Sequence, residues 1–272
     1  MTGPRGPISS PVNPRVRAAA SLRDRRERER TGRIVIDGAR ELLRALDAGV
    51  ELETLFVADP LCRYVACREL LDRVGAGDRR RVAVTETAFA KLAFGDRAEG
   101  VVGVAIRPKT DLEALDLPVE PLLAVVEAVE KPGNLGAILR SADGAGVDGL
   151  VAADARTELF NPNAIRASLG TIFSVPLAAA TSGVALDWLR GRGTRVVVAR
   201  VDGSELYTEA DLSGPVAIVL GSEADGLTET WSGPDVVPVR VPMLGAADSL
   251  NVAAAAAVLL YEARRQRTIK SR

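Results

Sequence analysis

The 272 residues carry a net charge of −1, an apolar fraction of 47%, two cysteines and no histidine. No apolar run reaches the roughly 18 residues of a membrane span, and no apolar core follows the basic start as a secretory signal requires. Lack of histidine excludes Ser-His-Asp and Cys-His nucleophile systems and His-ligated metals, and Cys62 and Cys67 complete neither a zinc site nor a disulfide scaffold. A reduced, cytoplasmic protein without a metal or a membrane anchor is the expectation. The charge is laid out unevenly: +6 over residues 1–33, +4 over 262–272, and −11 over 34–261. Basic ends on an acidic body suit contact with phosphate at particular places, and equally suit two solvated arginine-rich ends.

In chain order, residues 1–13, with Gly3, Pro4, Gly6, Pro7 and Pro11, read as a disordered leader. Residues 15–29, rich in Arg and Glu, predict a helix. A β-branched strand at 33–36 ends at Asp37-Gly38, and Leu42, Leu43 and Leu46 then fall at helical spacing. Strands follow at 55–58, 81–84 and 101–106, and helices at 65–74 and 86–93. Alternation of this kind makes residues 14–106 a small α/β domain. Residues 107–120, with Pro108 and Pro118 among acids, read as a linker. From 121 to 272 a second α/β series begins. Its unbroken apolar runs at 122–126, 150–152, 196–199, 217–220 and 237–241 predict buried parallel strands with helices between them. Such an open sheet binds ligands beyond the carboxyl ends of its strands.

Three segments at strand ends could carry chemistry. In Lys131-Pro132-Gly133-Asn134-Leu135-Gly136-Ala137-Ile138-Leu139-Arg140, the residues Leu135, Ile138 and Leu139 form one apolar helix face, and Gly136 and Arg140 lie on another. The Arg offers a phosphate fork, and the plain alternative is a strand-to-helix turn with a surface Arg. Leu220-Gly221-Ser222-Glu223-Ala224-Asp225-Gly226-Leu227 fits a tight loop whose carboxylate can accept hydrogen bonds. It matches neither a Walker loop nor a dinucleotide fingerprint. In Val241-Pro242-Met243-Leu244-Gly245-Ala246-Ala247-Asp248-Ser249-Leu250-Asn251-Val252, Asp248 or Ser249 is positioned to cap the next helix.

In this order and spacing, the segments resemble the three motifs of the SpoU–TrmH family of RNA ribose methyltransferases, within the SPOUT superfamily. The resemblance runs from about Leu122 to Arg267 and includes Arg166-Ala-Ser168-Leu-Gly170-Thr-Ile-Phe173-Ser-Val-Pro176. Asn13-Pro14-Arg15-Val16 through Arg25-Arg26, then Ile34-Val-Ile-Asp37-Gly38, is similar to that family's N-terminal substrate-binding domain. The resemblance implies a parallel-sheet catalytic domain with a deep trefoil knot, preceded by a small L30e-like α/β domain. It implies a homodimer and S-adenosylmethionine as cofactor, held at Gly221, Val241, Met243, Ser249 and Leu250. Arg140, Asn134, Glu223, Ser249 and Asn251 match the family's catalytic positions. Arg140 is assigned to the target ribose and its phosphate, since guanidinium scarcely deprotonates. RNA would be gripped through Arg15, Arg23, Arg25, Arg26 and Arg30. A front domain of this kind points to 23S ribosomal RNA; the alternatives are tRNA, or an inactive homologue that only binds RNA. Lys131 departs from the family, which more usually has an acid before Pro-Gly-Asn.

Overall fold

The computed structural model describes residues 6–93 and 99–270, which form two compact units. The first comprises the chain up to Pro108 together with Phe160–Ser174; the second comprises Lys109–Leu159 and the chain from Val175 onward.

The first unit opens with helices α1 (Pro14–Ser21) and α2 (Arg25–Thr31). One helix over 15–29 was the expectation. The chain instead breaks at Leu22–Asp24, where Asp24 accepts the Arg26 amide as the cap of α2 (2.8 Å). The break is held by Arg28, 1% exposed, whose guanidinium donates to the carbonyls of Leu22 (2.7 Å) and Arg23 (2.8 Å). An arginine that reads as surface charge is therefore a buried cap. Next come β1 (Arg33–Asp37), α3 (Ala39–Asp47), β2 (Leu52–Val57), α4 (Val65–Val74), β3 (Arg81–Ala83), α5 (Glu86–Leu92) and β4 (Val101–Ile106). The sheet order is β1-β4-β2-β3, antiparallel except for the β2–β3 pair. Val16, Leu22, Phe56, Phe89 and Leu92 pack into its core. The expected leader needs correction where it is described: Ile8 lies parallel to Val84, donating to Ala83 O and accepting from the Thr85 amide (both 2.9 Å). Its apolar side chain packs on the core, which outweighs the flanking prolines. Residues 1–5 of that leader lie outside the described residues.

The second unit starts with β5 (Leu122–Glu127), α6 (Pro132–Ala145) and β6 (Gly149–Ala153). Pro132 at the first turn of α6 and a left-handed Gly146 after its end set that helix's limits. Two short helices, α7 (Pro162–Ala167) and α8 (Thr171–Ser174), then belong to the first unit, where Arg44 donates to Leu169 O (2.7 Å) and Arg166 pairs with Asp37 (3.8 Å). The second unit resumes with β7 (Leu177–Ala180), α9 (Ser182–Gly191), β8 (Arg195–Ala199), β9 (Glu205–Leu206), β10 (Val216–Leu220), β11 (Val236–Arg240) and α10 (Val252–Lys270). The sheet is parallel throughout, in the order β7-β6-β5-β10-β8-β11-β9. It matches the expected mixed α/β architecture with a parallel sheet. The five apolar runs form β5, β6, β8, β10 and β11; β7 and β9 were not foreseen. The expected linker also contributes to the core, since Leu112 and Leu115 are buried against the sheet with Leu123, Val125 and Trp231. No helix among the described residues is long and apolar enough to cross a membrane.

Candidate active site

A parallel sheet brings the carboxyl ends of all its strands to one edge. The loops after the neighbouring strands β5 and β10, and the loop between β11 and α10, meet there. After β10 the chain turns at once, and the Ser222 amide donates to Gly226 O (3.0 Å) while the Gly226 amide donates to Ser222 O (3.1 Å). This closure brings backbone against backbone: a Cβ on Gly221 would stand 2.3 Å from Gly226 C and 2.5 Å from Leu227 N. Only glycine at 221 permits it. Gly226 supplies the left-handed residue (φ 69°) that completes the turn.

The closed loop presents Glu223 to two other segments. Glu223 Oε1 accepts from Asn134 Nδ2 at 2.7 Å and from Asn251 Nδ2 at 2.5 Å, and Oε2 pairs with Lys131 Nζ at 2.5 Å. Asn134 stands in the first turn of α6. Asn251 is the residue before α10, and its Oδ1 accepts the Ala253 amide (3.0 Å). The cap of α10 is therefore Asn251, rather than Asp248 or Ser249 as expected. One amide serves two purposes: its oxygen caps the helix and its nitrogen binds Glu223. Lys131 supplies the cation of the cluster. Its hydrogen bond is the chief reason that the Glu223 carboxyl sits below the ordinary carboxylate range, with Asn134 adding to the effect. The same pairing raises Lys131.

Beside this cluster lies a cleft of ≈ 640 Å³, lined by Leu220, Gly221, Leu227 and Val239 from the sheet edge and by Val241, Met243, Ser249 and Leu250 from the loop after β11. All five residues expected at the cofactor thus share one cleft, which Glu223 and Asn251 also line. Arg140 does not line it. It is exposed on α6, six residues beyond Asn134, about 120° around the helix and about 9 Å along it. No ion pair or hydrogen bond engages its side chain among the described residues.

Sequence reasoning missed two supports of the loop. Glu127, the last residue of β5, is 1% exposed, and its carboxylate accepts from Ser182 Oγ (2.6 Å), Thr228 Oγ1 (2.7 Å) and the Thr228 amide (2.8 Å). Arg156 pairs with Glu130 and, at 3.2 Å, with Asp225. The signal for Glu127 was visible: a charged residue ending an otherwise unbroken apolar strand. Nothing in the sequence marked Arg156.

The N-terminal arginines divide into two groups. Arg23 reaches the carbonyls of Leu92 and Ala93, Arg25 pairs with Glu29 (2.7 Å), and Arg30 with Glu27 (2.7 Å). Arg15 and Arg26 are exposed, and no ion pair holds either side chain among the described residues. At the other end of the chain, Arg264 donates to the carbonyls of Ala145 and Gly146 (2.6 Å each), and Arg267 to those of Glu120, Pro121 and Gly214. Part of the basic C-terminus is therefore structural.

A family model for the SpoU rRNA methylase family matches residues 121–261, and one for an MRM3-like substrate-binding domain matches residues 13–103. The chain belongs to the SpoU rRNA methylase family. It is 32% identical to a 23S rRNA (uridine(2479)-2′-O)-methyltransferase of Streptomyces viridochromogenes, covering 91% of this chain and 88% of that one. A crystal structure described as an RNA 2′-O ribose methyltransferase superposes with a TM-score of 0.85 at 39% identity, covering 97% of this chain and 100% of its own. The SpoU methyltransferase AviRb of Streptomyces viridochromogenes, crystallised with AdoMet, gives 0.84 at 30% identity, covering 94% of this chain and 98% of its own.

Proposed function

We propose that this family member transfers a methyl group from S-adenosylmethionine to a ribose 2′-hydroxyl of 23S ribosomal RNA. The observation that carries the reading is the convergence of Asn134, Glu223 and Asn251, from three separate segments, beside a cleft of ≈ 640 Å³. The relative from Streptomyces viridochromogenes acts on 23S rRNA, which favours that substrate over tRNA.

The cleft fits the cofactor in size and chemistry. Leu220, Val239, Val241, Met243 and Leu250 offer apolar walls to an adenine ring, and Ser249 a hydroxyl for polar contact. Of the four carboxylates along the lining, Asp202, Glu223 and Asp225 are already paired with Arg200, Lys131 and Arg156, which leaves Asp248 to face a cation. S-adenosylmethionine, when bound, supplies an electrophilic methyl group, whose bond to sulfur breaks as its bond to the ribose oxygen forms. Arg140 holds the target phosphate and ribose so that the hydroxyl points at that methyl group. Such positioning is a recognised source of rate. Glu223, already taken up by three donors and depressed in pKa, is suited to hold the loop rather than to take the hydroxyl proton. That proton passes to the adjoining phosphate or to water.

The front domain, residues 14–106, which the MRM3-like match over 13–103 nearly spans, would select the RNA. Arg15 and Arg26 stand ready for phosphate, and Arg23, Arg25 and Arg30 would join by exchanging their present partners. Residues 121–272 would bind the cofactor, form the trefoil knot expected of the family, and pair with a second copy in a cytoplasmic homodimer. The front domain is read as L30e-like.

The test is tritium transfer from labelled S-adenosylmethionine to 23S rRNA and to tRNA, followed by mapping of the alkali-resistant dinucleotide that a 2′-O-methyl group leaves. Label on tRNA alone, or on a base, would overturn the proposal.

A further inference from the structure

Cys62 and Cys67 lie in the first unit, outside the cleft, and the proposed reaction does not use them. They flank the turn between a short 3-10 helix at Asp59–Leu61 and α4. The turn folds back so that the two thiols neighbour each other. Both also reach the start of β4. Cys67 Sγ lies 2.9 Å from Glu99 O, and Cys62 Sγ lies 3.5 Å from Gly100 O and 3.6 Å from Ala58 O. Cys62 Sγ occupies space that a side chain at 100 would need, 2.7 Å from where its Cβ would stand.

The two sulfurs are unequal. Cys67 is buried, while Cys62 is partly open to solvent. The neighbouring Cys67 thiol pulls the Cys62 thiol below the ordinary range, and Arg81 acts in the same direction, against burial and the Asp59 carboxylate. The neighbouring Cys62 thiol, burial and Glu99 push Cys67 up. An accessible thiol that ionises first, beside a buried one that gives up its proton only as it attacks, divides the roles of attacker and resolver.

We propose that Cys62 and Cys67 are a peroxide-oxidisable pair that closes into an intramolecular disulfide. The Cys62 thiolate attacks one peroxide oxygen, the O–O bond breaks, and hydroxide leaves as water, giving a sulfenic acid. The Cys67 sulfur then attacks Cys62, the S–O bond breaks, and a second water departs with the Cys67 proton. Two electrons pass from the thiols to the peroxide. Closure removes both S–H donors, so Glu99 O and Gly100 O lose their thiol partners. Glu99 also accepts the Ala39 amide through its carboxylate (3.1 Å), which ties the pair to the start of α3.

The test treats the full-length protein with hydrogen peroxide and follows intact mass and peptide maps. The wild type should lose two hydrogens, give a peptide linked through 62 and 67, and return to the dithiol with dithiothreitol. Cys67→Ser should stop at a Cys62 sulfenic acid that dimedone traps, whereas Cys62→Ser should give no dimedone adduct. In the reduced wild type, iodoacetamide should modify Cys62 at least about tenfold faster than Cys67. A wild type that accumulates sulfenic acid without closing, that links between molecules instead, or whose two cysteines alkylate at equal rates would overturn the proposal.

Discussion

Two carboxylates stand at the ends of the neighbouring strands β5 and β10, and each receives three hydrogen bonds. Glu127 is sealed, 1% exposed, and its donors are two hydroxyls and an amide, all neutral. Glu223 has a side chain 27% exposed, and its donors are two carboxamides and an ammonium brought from two distant segments. Both act on the same loop. Glu127 fixes where it returns, at Thr228, and Glu223 fixes what it presents to α6 and α10. A saturated carboxylate inside a protein is scaffold, because leaving its donors unpaired is costly. A saturated carboxylate at an open edge has donors that a substrate can share. The difference separates what builds the site from what the site does.

The largest effect expected is from breaking the loop itself. Gly221→Val should abolish S-adenosylmethionine binding, because any Cβ there meets the backbone of Gly226. Gly221→Ala should do nearly as much, since the clash begins at Cβ and not at the branched carbons. Calorimetric titration, with circular dichroism to confirm a folded chain, measures this. Ordinary binding by a folded Gly221→Val would place the cofactor elsewhere. Arg140→Ala comes next. Its side chain neither lines the cleft nor holds other residues, so cofactor affinity and melting temperature should stay put while methyl transfer falls about 10²-fold or more. Full activity would remove Arg140 from the reaction.

The comparison itself is tested by Glu127→Ala against Glu223→Ala. The first leaves three donors unpaired in the interior and should cost about 2–4 kcal/mol of stability, visible in chemical unfolding. The second frees donors that water can reach. It should cost under about 1 kcal/mol of stability and yet about tenfold or more in methyl transfer. If the two variants lose stability equally, the distinction between scaffold and site collapses.

Much of this was legible. Leu122–Val126 and the other β-branched runs announced parallel strands because a strand buried on both faces has no room for polar alternation. The strand β7, Leu177–Ala180, escaped because three of its four residues are alanine, which carries no strand preference. The strand β9 is two residues long, too short for any period. The single helix expected at 15–29 failed because Arg28 turns inward to hold the carbonyls of the break. That choice depends on what packs around it. Residues 160–174 read as part of the second half, but their contacts belong to the first unit. A fragment beginning near Leu117 would therefore expose Phe160, Ile165 and Phe173, buried here. In the site, Asn134, Glu223 and Asn251 were legible through motif order. That Asn251 also caps α10 was not, since Asp248 and Ser249 compete for the same reading.

The smallest effect expected belongs to Lys131. Its side chain is 69% exposed, so its pair with Glu223 is screened by water and should matter little to stability. Its influence should show in pH dependence instead. Lys131 is the first cause of the depressed Glu223 pKa, so the carboxylate persists to lower pH than an isolated one. Whatever this contributes is present above the ordinary carboxylate pKa and is lost as pH falls through the depressed value. Once protonated, Glu223 can no longer accept all three donors, and the junction of the loop with α6 and α10 loosens. In Lys131→Gln the chief cause of the depression is gone, so the acid limb of activity should move to higher pH. At neutral pH, kcat should stay within about fivefold of the parent. Lys131→Arg keeps the cation and should restore the limb. The salt dependence of KM for RNA separates this role from direct phosphate contact: losing one contact would lower the slope by about one, whereas losing the Glu223 pair alone leaves it unchanged. An acid limb that stays in place, together with a reduced salt slope, would mean that Lys131 serves the RNA rather than Glu223.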